Sequence, residues 1–364
     1  MSTLSHHVNG GFRNPWGTQY PWKKAITTVL KVPLTWAKPF DIKVSAPKTV
    51  SADFSVYNDH NTKAIKATWL GHAGFVVQVP GCDEHPDPVT VLFDPIFAER
   101  ASPVTWLGPK RWLLPPCRPK ELPVVDYIFI SHNHYDHLDI EALRHICLVS
   151  TVLLVPLGIK QLILESIPIV SADRVHEMDW WDSKTFPNGV EVVCTPAQHN
   201  SGRGVHDQGR ALWASWVARR ANTNIYHAGD TGYTNSDGAC PAFAEIGAKY
   251  GPFDLAMIPI WRGASLSFLG RCGLRLTPQA TETLLATLHA TPRDAVALSV
   301  DIRAKHSIAM HFGTFCGSED EAVEPVYLLK QALESTFSNT TLDTTWAEDR
   351  GFRAIDVGET VIIT

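Results

Sequence analysis

The chain has 364 residues, of which 45% are hydrophobic and 19% charged, with a formal net charge of −5. This composition supplies a large apolar core, and the acidic balance excludes a nucleic-acid binder that works through bulk positive charge. The seven cysteines form no C-x-x-C pair, so neither a disulfide framework nor a thiolate metal site is indicated, and reduced thiols fit an intracellular protein.

Residues 1–63 are rich in Pro, Trp and Lys without a sustained period, and they read as an N-terminal arm with one short helix near residues 22–32. This arm lacks the apolar core of a signal peptide, and His6 and His7 within it read as solvated. The body, 64–364, reads as one catalytic domain. AIKATWLG, GFVVQV and VTVLFDP alternate apolar and polar residues between Gly and Pro breaks, the signature of an antiparallel meander. The run VVDYIFI reads as a buried strand, followed by helix at 140–145, strand TVLLVP and helix at 158–165. Strands GVEVVCTPAQH, ALWASWVAR and NIYHAGDTG come next, then helix at 242–250 and strand DLAMIPI. Helices at 278–290 and 292–302 and the strand SIAMHFGTF complete the series. Strand and helix runs alternate in two blocks, about 64–210 and 211–364, which two sheets packed face to face with helices outside would satisfy. The longest apolar stretch, 146–159, is too short to span a bilayer and contains Pro156.

The segment SHNHYDHLD, 131–139, gathers His132, His134, Asp136 and His137 on the loop leaving a strand. Imidazole and carboxylate donors this close can face a pair of metal ions, and they suit zinc without any thiolate. His199, Asp230 and His311 each follow apolar β sequence, where a ligand is held on a rigid element and aimed into a shared cleft. His176, His206 and His227 lack that placement and read as structural or solvated. The two carboxylates do not neutralise two divalent ions, so the site would attract an anion such as a phosphodiester.

Together, H-x-H-x-D-H and the later His, Asp and His resemble the metallo-β-lactamase superfamily. The segments FRNPW (12–16), TWLGHAGF (68–75), FDPIFAERASP (93–103), CTPAQHNSGRG (194–204), HAGDTGY (227–233) and MHFGTF (310–315) narrow the resemblance to the N-acyl-phosphatidylethanolamine-hydrolysing phospholipase D family. The stretch 261–276 is similar to fungal-type members. This resemblance implies an αββα sandwich of two mixed β-sheets with helices outside, and two zinc ions. By it, His132, His134 and His199 hold one ion, Asp136, His137 and His311 the other, and Asp230 bridges. Asp136 and Asp230 would be the catalytic carboxylates, and Tyr135 would contact substrate phosphate.

The implied reaction is phospholipase D-type hydrolysis of N-acyl-phosphatidylethanolamine by a metal-bridging hydroxide. The same motif also serves enzymes acting on lactones, thioesters or other phosphodiesters, and a non-catalytic lipid-binding protein is the remaining class. Implied partners are a phospholipid substrate and a peripheral membrane surface, with no nucleic acid; a homodimer is compatible with the sequence. Two positions depart from the family pattern. Asn200 replaces a customary Trp, and Ser299 stands where a histidine near substrate is expected.

Overall fold

The computed structural model describes residues 5–16, 34–36, 45–59, 63–235, 237–261, 267–277, 287–337 and 351–364. Two seven-stranded sheets form its centre. The first contains β1 (Ile65–Gly71), β2 (Gly74–Val79), β3 (Val89–Phe93), β4 (Tyr127–Phe129), β5 (Val152–Pro156) and β6 (Val175–Met178). The second contains β7 (Ser183–Thr185), β8 (Glu191–Thr195), β9 (Ser215–Arg220), β10 (Thr223–His227), β11 (Leu255–Pro259), β12 (Ser307–Met310) and β13 (Phe352–Arg353). The last strand, β14 (Thr360–Ile363), returns to the first sheet and pairs with β1, giving the order β14-β1-β2-β3-β4-β5-β6.

Each sheet changes from antiparallel to parallel pairing midway, at β3–β4 in the first and at β10–β11 in the second. The short turns of the meander permit antiparallel pairing, whereas each parallel step needs a longer crossover. Helices α1 (Ile140–Ile146) and α2 (Lys160–Ser166) serve the first sheet, and α3 (Pro241–Tyr250) and α4 (Pro292–Asp301) the second. A long helix, α5 (Glu319–Phe337), packs on α4.

Alternation explains how the first sheet is buried on both faces. Val91 and Phe93 point into the core between the sheets, while Leu92 points outward with Leu143 and Ile163 of the helices. Between the sheets Phe93 stacks on Phe129 at 4.8 Å, and Trp216 of the opposite sheet meets Phe129 edge-on at 5.6 Å. The Trp216 Nε1–H donates to the Ile130 carbonyl at 2.9 Å, fixing the strand end that feeds the histidine loop.

The two-sheet architecture matches the expectation, but the division into blocks at 210 does not. The second sheet already begins at Ser183, and β14 belongs to the first. Pairing between strands remote in the chain decides this, and local periodicity carries no record of it. The helix expected at 22–32 lies outside the described residues, as do 278–286 of the helix expected at 278–290 and 262–266 of the 261–276 stretch. Beyond that gap, Leu274–Leu276 pairs antiparallel with Leu34–Trp36 of the arm.

His6 is largely buried, and His7, still half exposed, is tied to the body as well. Their Nε2 atoms each lie 2.7 Å from a different oxygen of Asp179, and the His6 ring stacks on Trp180 at 4.3 Å. Apolar packing of this arm segment against the body draws the His6 imidazole inward, which a polar, glycine-containing tail does not advertise.

Candidate metal centre

Four strands of the two sheets deliver polar residues at their C-terminal ends to one place. After β4 the chain runs through Ser131 into His132, His134, Asp136 and His137; His199 follows β8, Asp230 follows β10, and His311 follows β12 directly. Backbone geometry turns the side chains inward. His311 has φ of 64°, and Gly229, just before Asp230, has φ of 58°. A Cβ at Gly229 would meet Ser131 Cβ at 2.7 Å and the Ala214 carbonyl oxygen at 2.8 Å, so only glycine fits there.

The side chains form adjoining clusters. His132, His134 and His199 make one, with His132 Nε2 2.7 Å and His199 Nε2 3.4 Å from His134 Nδ1. The other joins Asp136, His137 and His311 to His72, with 3.3 Å between the Nε2 atoms of His137 and His311. Asp230 stands between them. Its Oδ1 is 2.7 Å from His311 Nε2, and its Oδ2 is 3.3 Å from His137 Nε2 and 3.5 Å from His199 Nε2. All seven residues expected from the sequence thus converge, and all but the partly exposed His134 and Asp136 are fully buried.

The donor set fits divalent metal ions. The outer nitrogens of three rings are engaged: His137 Nδ1 with Asp94 Oδ2 at 2.7 Å, His199 Nδ1 with the Leu288 carbonyl at 2.9 Å, and His311 Nδ1 with the Trp261 carbonyl at 3.1 Å. A proton on each Nδ1 leaves the inward Nε2 as a lone pair, the tautomer a metal requires. Asp230 Oδ1 is buried with no hydrogen-bond donor of acceptable geometry, despite its closeness to His311. Lone pairs and a carboxylate facing one another without donors call for cations between them.

For His132, His134 and His199 electrostatics point the same way. Burial holds His132 and His199 well below the ordinary histidine pKa, and neighbouring histidines add to this. His134 is lowered by burial as well, so these rings stay neutral and available as ligands. Burial also opposes the charge on His137, yet Asp230 and then Asp94 outweigh it and raise that pKa well above the ordinary value. Asp230 is kept far below the carboxylate range because His137 and His311 overcome the burial penalty.

Three participants were not foreseen. His72 follows Gly71 at the end of β1, with φ of 53° and its Nε2 3.0 Å from Asp136 Oδ2. Asp94, after β3, accepts from the Ser131 backbone N–H at 2.7 Å and from the Ser131 hydroxyl at 2.6 Å while holding His137. Both carry the strand-end signal that marked the other ligands. His289 precedes the capping box of α4, its Nδ1 3.8 Å from Asp230 Oδ2. A polar residue just before a helix start was the available sign.

A cleft of about 350 Å³ opens over the centre, lined by His134, Tyr135, Asp136, His199, Asn200, Asp230 and His289, with Ala101, Pro109 and Leu288 at its apolar side. Tyr135 stands in this wall, and the Arg203 guanidinium lies 3.8 Å from the centre of its ring. Arg203 also donates to the carbonyls of Asn133 and Leu138, each at 3.0 Å, tying the 199–204 segment to the histidine loop. Asn200 faces the cleft, as its position beside His199 implies. Ser299 does not: its hydroxyl donates to the Val296 carbonyl at 2.7 Å on α4. The histidine that reaches the cleft from this region is His289.

His227 is buried, its Nε2–H donates to the Ala73 carbonyl at 2.9 Å and its ring stacks on Phe93, apart from the metal-facing clusters. His176 is partly exposed and His206 exposed.

The family model of the beta-lactamase superfamily domain matches residues 89–312. The chain belongs to the metallo-β-lactamase superfamily. Within this superfamily it is 31% identical over 360 residues to an N-acyl-phosphatidylethanolamine-hydrolyzing phospholipase D of Caenorhabditis elegans, covering 96% of this chain and 91% of that one. A mitochondrial protein of the same description from Saccharomyces cerevisiae is 29% identical over 76% of this chain, which spans about half of it, 53%. Among solved structures, an isothiocyanate hydrolase from Delia radicum gut bacteria aligns with a TM-score of 0.53 at 16% identity, covering 81% of this chain and 98% of that one. That likeness shows the fold alone. Family, fold and buried histidine–aspartate clusters together describe a metal-dependent hydrolase of this superfamily.

Proposed function

We propose that this chain is a phospholipase D-type phosphodiesterase, hydrolysing N-acyl-phosphatidylethanolamine to phosphatidate and an N-acylethanolamine. The observation that carries the reading is its similarity to the worm phospholipase over nearly the full length of both chains. The chemistry of the cleft supports it. Its two carboxylates leave a site holding two divalent ions positively charged, which favours a phosphodiester anion over a neutral ester.

Zinc suits the nitrogen and oxygen donors, and a pair of such ions supplies Lewis-acid stabilisation of phosphate oxygens and activates water. The chain's own residues do the rest. His132, His134 and His199 hold one position and Asp136, His137 and His311 the other, while Asp230 reaches both. Asp94 and the Leu288 and Trp261 carbonyls fix the tautomers of His137, His199 and His311. Tyr135 and the neutral His289 flank the phosphate position and can each hydrogen-bond a substrate oxygen. Hydrolysis breaks the phosphorus–oxygen bond to the acylethanolamine and gives that oxygen a proton.

A lipid substrate needs access from a bilayer. Trp106 and Leu107, 74% and 60% exposed, lie on the loop whose Ala101 and Pro109 line the cleft, and Leu114 follows at 69%. Aromatic and aliphatic side chains in that position suit an interfacial surface. Among the described residues no helix is long and apolar enough to cross a membrane.

The test is incubation of zinc-loaded protein with vesicles containing N-acyl-phosphatidylethanolamine, with products identified by mass spectrometry and Asp230→Asn as control. Release of phosphatidate and acylethanolamine by the wild type only is the expected result. Turnover confined to lactones, thioesters or other phosphodiesters would overturn the substrate assignment.

A further inference from the structure

We propose a second, separate divalent-metal site, formed by His6, His7 and Asp179, that fastens the N-terminal arm to the body. The ligand atoms of these three side chains lie within 4.8 Å of one another. His6 Nε2 is 2.7 Å from Asp179 Oδ1, and His7 Nε2 is 2.7 Å from Oδ2. The main centre shows the same spacing, 2.7 Å between His311 Nε2 and Asp230 Oδ1 and between His132 Nε2 and His134 Nδ1.

Convergence of these two rings is the unusual feature. His7 begins a two-residue strand, His7–Val8, paired with Gly11–Phe12. Neighbouring side chains along an extended chain point to opposite sides, yet the imidazoles of His6 and His7 meet one carboxylate with ring centroids 4.4 Å apart. Two imidazoles and a carboxylate form a donor set for zinc or its neighbours, leaving coordination positions for water. The His6 side chain is 16% exposed and that of His7 50%, so one side of the cluster is built into the surface and the other admits an ion.

So short a hairpin cannot hold itself, and its tie to Asp179 has a consequence at the main centre. Along the same arm, the Phe12 N–H donates to the Gly209 carbonyl at 2.7 Å and Trp16 stacks on Trp180 at 5.5 Å. Asn14 Nδ2 then donates to the carbonyl of His199 itself at 2.6 Å. An ion at His6, His7 and Asp179 therefore steadies the segment that braces a residue of the catalytic cleft.

His7→Gln separates this proposal from a purely hydrogen-bonded clasp. Glutamine keeps an N–H donor for Asp179 Oδ2 but replaces the imidazole ligand. Full-length wild type, His7→Gln and the double variant His6→Asn/His7→Asn are equilibrated with buffered zinc. Metal per chain is then measured by elemental analysis, and amide exchange is followed over residues 5–16. The wild type should hold one zinc more than either variant, and zinc should slow exchange of the arm in the wild type alone. Equal zinc content in all three proteins, or arm protection in His7→Gln equal to wild type, overturns the site. The zinc shared by all three proteins reports the main centre and is unaffected by the outcome.

Discussion

His72 shows how one residue can serve the centre in two separable ways. Its carbonyl accepts the His311 backbone N–H and the Trp69 indole N–H, both at 2.9 Å, while its Nε2 reaches Asp136. His72→Leu keeps the backbone role and removes only the contact to Asp136. Loss of such an orienting partner costs roughly 10–100-fold in metal affinity, to be measured by competition with a chromophoric chelator; an unchanged affinity would reduce His72 to packing. The histidines also set a pH response. Burial, the largest cause, holds His72 at about 3 and His289 at about 4, below the ordinary 6.5, and moves His132, His134 and His199 the same way. These rings stay neutral when folded and take up protons when unfolded, so their contribution is complete above about 6.5 and is lost as pH falls below it. The raised pKa of His137 acts oppositely, its contribution being present at low pH and lost as pH rises. With five groups against one, the melting temperature of metal-free protein should drop from about pH 7 to about pH 4. A flat profile by calorimetry would contradict this balance.

At the scale of elements, the strand-end loops were legible because each ligand follows a run of apolar β residues. The loop carrying His132 was plainest, since four ligand residues crowd six positions, and Asp139 at its end caps α1 by accepting from the Ala142 N–H. The same Asp139 accepts from the N–H groups of Phe97 and Ala98, anchoring the loop that bears Trp106 and Leu107. That link from the metal loop to the cleft's apolar rim required the structure, since nothing local pairs position 139 with 97. If this rim docks on lipid, Trp106→Ala/Leu107→Ala should lower partitioning onto anionic or zwitterionic vesicles by about tenfold or more. Hydrolysis of a soluble phosphodiester should be unchanged, so equal vesicle binding in a sedimentation assay would remove this loop from the docking surface.

For the whole molecule, closure of the first sheet depends on its final strand. All seven residues of β1 are buried, and β14 covers its edge with Val361 and Ile363 almost fully buried. Removal of residues 358–364 would expose that edge and the apolar side chains beside it. Truncated protein should therefore aggregate or melt at a lower temperature, as seen by size-exclusion chromatography and thermal denaturation; a monodisperse chain of unchanged stability would show that β14 is dispensable.

The sequence by itself determined the two-sheet α/β architecture and the seven residues that converge on the centre, because strand periodicity and donor-rich strand ends are local signals. Tertiary structure decided what depends on distant partners. It sent β14 back to the first sheet, brought His72 and Asp94 to the metal-facing residues and His289 to the cleft, turned Ser299 onto its own helix, and seated His6 and His7 on Asp179. The strand ends at His72 and Asp94 and the helix start after His289 were visible locally, but the partners each meets lie far along the chain, and local periods, caps and turns carry no record of a partner that remote.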